Sequence, residues 1–165
     1  ILAVTAAPRF LNFQGDAKES VVVAVQGAVK ASMALINGKA IIAGVTNQTP
    51  TAAGDADTNP AVEGVKLTYG YPKATVAGIK AAIDFPNGWV TSLDAAVADQ
   101  ADAGYVAEVL TSTTHISTAG QIRIAADLAS LEDEGCYVEY IASSKAGASA
   151  AATEPTVTVE VAGCN

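Results

Sequence analysis

The chemistry of this chain is easiest to predict at its two cysteines. Cys136 and Cys164 both lie late in the sequence, separated by 27 residues and outside the C-x-x-C spacing of metal and redox sites. An even pair of this kind predicts one disulfide, and therefore an oxidising compartment such as the periplasm, the cell surface or the medium. In the chain-entropy model, a closed loop of this size stabilises the fold by about 3.6 kcal/mol.

An acidic segment gives a partial match to a cation site. Asp55, Asp57 and Asn59 stand at the first, third and fifth positions of a calcium-binding loop. The match then fails, because Pro60 replaces the glycine of that loop and Lys66 replaces its bidentate glutamate. We therefore expect a solvated acidic loop and no metal site. If a cation does bind, Asp55, Asp57 and Asn59 are the candidate ligands.

No arrangement of residues points to catalysis. His115 is the single histidine, in a Ser/Thr-rich segment without a nucleophile motif. The sequence contains no phosphate-binding loop, no G-x-G-x-x-G and no H-E-x-x-H. We therefore predict a protein that is not an enzyme and needs no cofactor.

Composition narrows the classes further. The 165 residues fit one domain, and with 35 alanines and few aromatic residues its core must be built from small side chains plus Val, Ile and Leu. The net charge of −8, with nine scattered basic residues, excludes binding to a phosphate backbone. An apolar fraction of 50% excludes disorder. No apolar run reaches the ~18 residues of a membrane span, so we expect the chain as given to be soluble.

A long N-terminal helix is the first predicted element. Apolar residues recur at steps of three and four through residues 1–37, which is the spacing of one helix face, and a second stripe beside it widens that face. The main stripe is Phe10, Phe13, Ala17, Val21, Ala24, Ala28, Ala31 and Leu35, the second stripe is Val22, Val25, Val29 and Ile36, and a polar strip is Arg9, Asn12, Asp16, Glu19, Gln26, Lys30 and Asn37. We predict that Gly38 ends the helix and that Pro8 kinks it.

This helix is longer than the domain that must hold it. At 1.5 Å per residue it extends about 54 Å, whereas a compact domain of this size is roughly 40 Å across. We therefore divide the chain into a helix at 1–37, with residues 1–16 projecting and 17–37 packed, and a globular domain at 38–165. A projecting apolar helix needs a membrane or further copies of itself. We expect Val4, Phe10, Leu11 and Phe13 to serve that assembly.

The rest of the chain turns from loop to β-structure. Residues 38–71 are punctuated by Gly, Pro and Asn and are predicted to form a loop, and residues 72–83 a short helix. Alternating apolar residues then predict strands at 89–91, 122–124, 136–141 and 157–161. Residues 143–154 are predicted to form a flexible surface loop, and 93–119 stay ambiguous. The resulting fold class is α+β, with the helix on an antiparallel sheet of about four strands.

Three stretches resemble the type IV pilins, specifically the mannose-sensitive haemagglutinin type. They are ILAVTAAPRFLNFQGD at 1–16, TYGYPKATVAGIKAAI at 68–83 and CYVEY at 136–140, and a final cysteine lies near the C-terminus. The resemblance covers most of the chain. It implies the type IV pilin fold, with the helix kink at Pro8 and a disulfide that closes the C-terminal region 136–164.

The resemblance also implies a function. A type IV pilin is a structural subunit of a fimbrial filament used for adhesion, aggregation or surface motility. The implied partners are other copies of the chain in a helical filament, and an assembly machinery reached through an N-terminal segment that precedes Ile1. That segment would also make the only membrane contact, and we expect it to have been removed with the leader, because the chain lacks both. The implied location is the cell surface, after passage through the inner membrane and periplasm.

Two alternatives remain open. A pseudopilin of a type II secretion system shares the long helix and the sheet, although the terminal cysteine pair favours a pilin. A secreted module that binds a glycan through its loops belongs to a different class. The gene segment upstream of Ile1 would separate them, because a basic leader followed by an apolar stretch with one Glu supports the pilin readings.

Overall fold

The described part of the chain contains one long helix, seven strands and one irregular helical turn. The computed structural model describes residues 7–48, 59–83, 90–91, 120–126, 130, 135–146 and 150–164. The elements are α1 (Ala7–Ala43), β1 (Ala61–Val62), β2 (Val65–Thr68), β3 (Tyr71–Pro72), β4 (Val90–Thr91), β5 (Gln121–Ala125), β6 (Tyr137–Ile141) and β7 (Thr156–Glu160). The strands form two antiparallel sheets, in the orders β1-β2-β3 and β4-β5-β6-β7. The fold class is therefore α+β, as the sequence predicts.

Helix α1 continues past the predicted stop. It ends at Ala43 rather than at Asn37, and Gly38 lies inside it. The cap is Gly44, whose positive φ of 70° lets the chain leave the helix in a left-handed conformation. The N–H of Val45 donates to the carbonyl of Ala40 at 3.0 Å, and the N–H of Gly44 donates to that of Ile41 at 3.1 Å. These two bonds are the Schellman pattern, so the prediction of a stop at Gly38 is wrong.

Pro8 lies in the first turn of α1 as the structure describes it. Residues 1–6, on which the predicted kink and the predicted projecting end partly depend, lie outside the described residues.

The buried face of α1 is the second apolar stripe. Val22 and Val29 are at most 1% exposed, whereas Val21 is 48% and Leu35 is 60% exposed. Together with Ile122, Ile124, Val138 and Tyr140, the buried valines form the main core between α1 and the four-stranded sheet. The second stripe therefore packs on the sheet, while the described members of the main stripe, from Phe13 to Leu35, are exposed.

Polar side chains of α1 decide which stripe faces the domain. Gln26 donates to the carbonyl of Val157 at 3.2 Å, and Asn37 donates to the carbonyl of Gly70 at 3.1 Å. Both belong to the strip that looks solvated in the sequence. Because an amide next to the core can satisfy main-chain carbonyls, burial of the valine stripe leaves the carbonyls of Val157 and Gly70 paired. The larger Val and Ile side chains also bury more apolar area there than alanines would.

The predicted strands of the second half are confirmed. β4 to β7 pair antiparallel, and β6 is the central partner of β5 and β7. On β5 and β6 the residues alternate, so that Ile122 and Val138 are buried while Arg123 and Glu139 lie on the opposite face. This period of two is the pattern of a sheet packed on one side.

The predicted loop at 38–71 is wrong in its second part. Two tight turns connect β1, β2 and β3, with positive φ at Glu63 and Gly64 in the first and at Tyr69 and Gly70 in the second. Two left-handed residues in a two-residue loop are typical of a type I′ hairpin. This small sheet covers the end of α1 with a second core, made of Ile36, Ala40, Val65 and Leu67.

The predicted short helix at 72–83 is confirmed only as one turn. Tyr71–Pro72 forms strand β3, and the chain then makes a single irregular helical turn, Val76–Lys80. Gly78 interrupts this turn with φ −99° and ψ −112°, which lie outside the helical region.

The described part of the predicted surface loop at 143–154 is held to the domain by burial and hydrogen bonding. Ser143 is fully buried, and the N–H of Thr153 donates to the carbonyl of Ser144 at 2.7 Å. Residues 93–119, 131–134 and 147–149 lie outside the described residues.

Candidate assembly surface

An apolar stripe runs along the solvent side of α1. We call it the α1 seam, and its members follow one another at alternating steps of three and four, as in a coiled-coil face. They are Val21, Ala24, Ala28, Ala31, Leu35, Gly38 and Ile42. Gly38 is half-buried and the other members are exposed, with Ile42 reaching 89% exposure. A seam of this length has no partner within the described residues.

Further apolar residues flank the seam. Phe13, Val23 and Ile41 are all exposed, at 69%, 45% and 62%. Within Phe13–Ala43, a stretch of 18 residues with a mean hydropathy of 1.4 is long and apolar enough to cross a membrane. Only 22% of that stretch is buried in the domain.

A shallow apolar groove of about 390 Å³ lies beside the N-terminal part of the seam. Ala17 and Val21 form part of its rim, and Val22, Ala126 and Cys136 belong to its lining. Because Val21 belongs to both the groove and the seam, the two form one continuous apolar surface.

The predicted disulfide is confirmed. Cys136 and Cys164 are bonded, with their Cα atoms 4.9 Å apart, and both are buried in the main core. The bond ties the start of β6 to the C-terminal end of the chain, and Gly163 donates its N–H to the carbonyl of Gly135 beside it.

The outer face of the four-stranded sheet carries a paired polar cluster. The Arg123 guanidinium lies 3.1 Å from the Glu139 carboxylate and 4.6 Å from the ring centre of Tyr137. Gln121 also donates to Glu139. Burial raises the pKa of Tyr137 above its usual value, and Arg123 partly offsets that effect. These contacts join β5 to β6 on the face of the sheet away from the main core.

The other predicted site residues are placed unevenly. Asn59 is 4% exposed, while Asp55 and Asp57 lie outside the described residues. Within the part of the chain that the structure describes, no three His, Cys, Asp or Glu side chains come together as a metal site. His115 also lies outside that part.

The predicted assembly residues are described only in part. Phe13 is exposed, Phe10 and Leu11 belong to α1 with side chains outside the described set, and Val4 lies outside it altogether. Sequence reasoning missed Ile42 because it placed that residue in a loop. The signal was present, because the three-and-four spacing continues from Leu35 through Gly38 to Ile42.

Comparison with family models, with curated proteins and with solved structures finds no match to this chain. Its function must therefore be inferred from the geometry of α1 and the two sheets and from the residues of the sequence.

Proposed function

We propose that this chain is a structural subunit of a type IV pilus filament at the cell surface, serving adhesion, aggregation or surface motility. The observation that carries the proposal is the apolar surface that α1 leaves uncovered. One stripe of α1 is buried against the sheet, and the α1 seam beside it is exposed along the same length. A helix whose apolar surface extends well beyond the stripe that it buries is suited to a domain that packs against copies of itself.

The size of the exposed surface supports polymerisation rather than a single contact. Six large apolar side chains of α1 are between 45% and 89% exposed. Burying them completely would contribute about 6–11 kcal/mol at ~1.5–3 kcal/mol per fully buried side chain. Association itself costs roughly 4–15 kcal/mol in lost freedom of motion. Burial against one neighbouring subunit therefore barely offsets the cost of association, whereas a filament surrounds each helix with several neighbouring subunits.

The remaining features fit the same role. The disulfide closes the C-terminal region that contains β7, the edge strand of the described four-stranded sheet. Such a bond persists in an oxidising exterior and adds to the stability that a core of small side chains supplies. In this proposal a segment upstream of Ile1 contacts both the assembly machinery and the inner membrane.

The proposal can be tested on the intact gene product in its own cells. An antibody against this chain should decorate surface filaments along their whole length in electron micrographs. A variant carrying Leu35→Asp and Ile42→Asp should abolish the filaments, because both charges would be buried between helices. Thr158→Asp, on an exposed position of β7, is the matched control and should leave filaments intact.

The stability of the aspartate variants shows whether a loss of filaments comes from failed assembly or from unfolding. Since Leu35 and Ile42 are exposed, the aspartate variants should unfold within ~0.5 kcal/mol of wild type. Filaments without label, label confined to a filament tip, or normal filaments from the double variant would each refute the role of a main structural subunit.

A further inference from the structure

We infer that the apolar groove beside the α1 seam binds one acyl chain of an anionic phospholipid of the inner membrane, before the subunit enters a filament. The groove of about 390 Å³ lies between one face of α1 and the residues Ala126, Ser130 and Cys136, which follow β5 and precede β6. Only the source of the lipid, the inner membrane, rests on the proposed function.

The α1 side of the groove is one continuous helix face. Its members are Gln14, Ala17, Lys18, Val21 and Val22, which stand at the spacing i, i+3, i+4, i+7 and i+8. A strip of this kind follows the helix axis for eight residues, or about 12 Å. An extended acyl chain has the shape that such a strip accommodates.

The lining and the volume both indicate a single chain. Sites for small molecules typically measure about 300–1,000 Å³ and are mainly apolar, with a few polar groups that fix the orientation of the ligand. At about 390 Å³ the groove is near the lower end of that range. Ser130 is 1% exposed, so the polar surface that a ligand meets there comes mainly from Gln14 and Lys18.

The charge of the groove selects the head group. Among the described residues that line it, Lys18 is the only charged one, and it is half-buried. A lysine in this setting covers apolar surface with its alkyl stem and keeps its ammonium at the boundary with water. Asp16 and Glu19, its acidic neighbours on α1, are exposed and do not line the groove. A chain in the groove therefore meets a cation at its edge, which favours a phosphate or carboxylate over a neutral head group.

The position of the groove along α1 indicates where the chain comes from. Gln14 is seven residues, or about 10 Å, from Ala7, where the described helix begins. Phe13, directly before it, is 69% exposed. In the proposed function the chain upstream of this end lies in the inner membrane. The apolar chains nearest to the groove of an unassembled subunit are therefore those of membrane lipids.

Binding of single-chain amphiphiles to the soluble chain tests the groove. In displacement of a dansyl-labelled fatty acid, affinity should rise about fourfold for each CH₂ added from octanoate to dodecanoate, the factor for burying one CH₂. Lys18→Gln should weaken dodecanoate about twofold to fivefold and leave dodecanol unchanged, because only the carboxylate interacts with the ammonium. Affinity that does not depend on chain length, or an equal loss for the acid and the alcohol, would overturn the inference.

Matched variants show whether binding is confined to the groove. Ala17→Asp should weaken dodecanoate about tenfold or more, because the aspartate would lose hydration beside the bound chain and repel its head group. Ala28→Asp, also on the exposed side of α1 but outside the groove, is the control and should keep wild-type affinity. Both variants should keep the wild-type denaturant midpoint, because both positions are exposed. Equal losses would show that fatty acids adsorb along the whole exposed helix, which contradicts a groove site.

Photo-cross-linking of the full-length protein in its own cells identifies the occupant. Benzoylphenylalanine in place of Ala17 should cross-link to a phospholipid in the inner-membrane fraction, whereas the same group in place of Ala28 should not. A cross-link from position 17 to a second subunit, to a free fatty acid or to no lipid would each overturn the inference.

These outcomes are separable from the proposed function. If antibody-labelled filaments form while position 17 cross-links to no lipid, the lipid site is wrong and the filament role stands. If wild-type cells carry no labelled filaments, the proposed function fails. The fatty-acid measurements on the soluble chain then still decide whether the groove binds an acyl chain.

Discussion

Tyr140 shows how a single residue joins the two sheets. Its side chain is fully buried in the main core, and its hydroxyl donates to the carbonyl of Pro72 at 2.6 Å. Pro72 belongs to β3 and Tyr140 to β6, so this bond links the three-stranded and the four-stranded sheet. Burial raises the pKa of Tyr140 well above its usual value, because the phenolate would lose its hydration.

The raised pKa predicts a loss of stability in alkali. Unfolded tyrosine ionises near pH 10, while buried Tyr140 stays protonated, so unfolding releases a proton above that pH. The free energy of unfolding should be insensitive to this group below pH ~10 and fall above it by up to ~1.4 kcal/mol per pH unit. Urea unfolding of wild type and Tyr140→Phe from pH 8 to 11 measures the difference. The variant should be about 1 kcal/mol less stable at pH 8 and lose less above pH 10. Parallel curves would contradict the assignment.

Two glycines are predicted to respond in opposite directions to one added methyl group. A Cβ at Gly78 would lie 2.2 Å from the carbonyl oxygen of Lys73, whereas at Gly27 it meets nothing within 4 Å. Gly78→Ala should therefore destabilise the chain by about 1–3 kcal/mol or more through overpacking. Gly27→Ala should stabilise it by about 1 kcal/mol through helix propensity. Denaturant midpoints check both, and equal shifts would mean that the turn at 76–80 is placed wrongly.

Among the elements, α1 shows best what the sequence could and could not predict. Its existence follows from apolar spacing over more than thirty residues. Two stripes share that spacing, however, and periodicity alone does not show which of them is buried against the sheet. The choice between the stripes depends on distant groups, since the Gln26 side chain donates a hydrogen bond to β7 and the Asn37 side chain donates one to the turn before β3. Such contacts form between segments far apart in the chain, so no local pattern records them.

The hairpins of the small sheet were missed for a local reason. Asn-Gly and Asp-Gly are the strong signals of type I′ turns, but here the turns are Glu63-Gly64 and Tyr69-Gly70. Strands β1 and β3 contain two residues each, too few to show alternation. The candidate assembly surface was predicted only in part. The sequence analysis ended the helix at Gly38, which left Ile42 in a loop and outside that surface.

The faces of α1 can be tested with neighbouring substitutions. Val29 is fully buried and Ala28 is exposed. Val29→Ala should cost about 2 kcal/mol, since it removes two methyl-sized groups and leaves a gap. Ala28→Phe should change stability by no more than ~0.5 kcal/mol. Guanidinium unfolding gives both values, and a large loss for Ala28→Phe with none for Val29→Ala would mean that the main stripe faces the sheet.

At the scale of the whole molecule, the disulfide supplements a core of small side chains. It closes a loop between residues 28 positions apart, and both sulfurs lie in the main core. Replacing both cysteines by alanine should lower the free energy of unfolding by roughly 3–4 kcal/mol in the chain-entropy model. Denaturant unfolding measures the loss. Two free thiols in the unreduced, unfolded wild-type protein would show that the bond does not form.

The last prediction concerns the state of this chain in solution. Its exposed helix face favours association, yet a seam about 33 Å long and about 10 Å wide offers roughly 330 Å², far less than the ~800 Å² that each partner of a stable pair contributes. If one neighbour covers half of the exposed apolar side chains, the gain of about 3–6 kcal/mol falls near or below the ~4–15 kcal/mol cost of association. Dissociation constants should therefore be millimolar or weaker, since ~4 kcal/mol of net binding corresponds to 1 mM.

Sedimentation velocity should accordingly find one species of about 16.5 kDa at micromolar concentration. Leu35→Asp should leave that species unchanged while it weakens filaments of the intact protein, because only the assembled state buries this side chain. A stable dimer that Leu35→Asp dissociates would show that the seam forms a closed pair. The helix face would then be a dimer interface, and polymerisation would need a different surface.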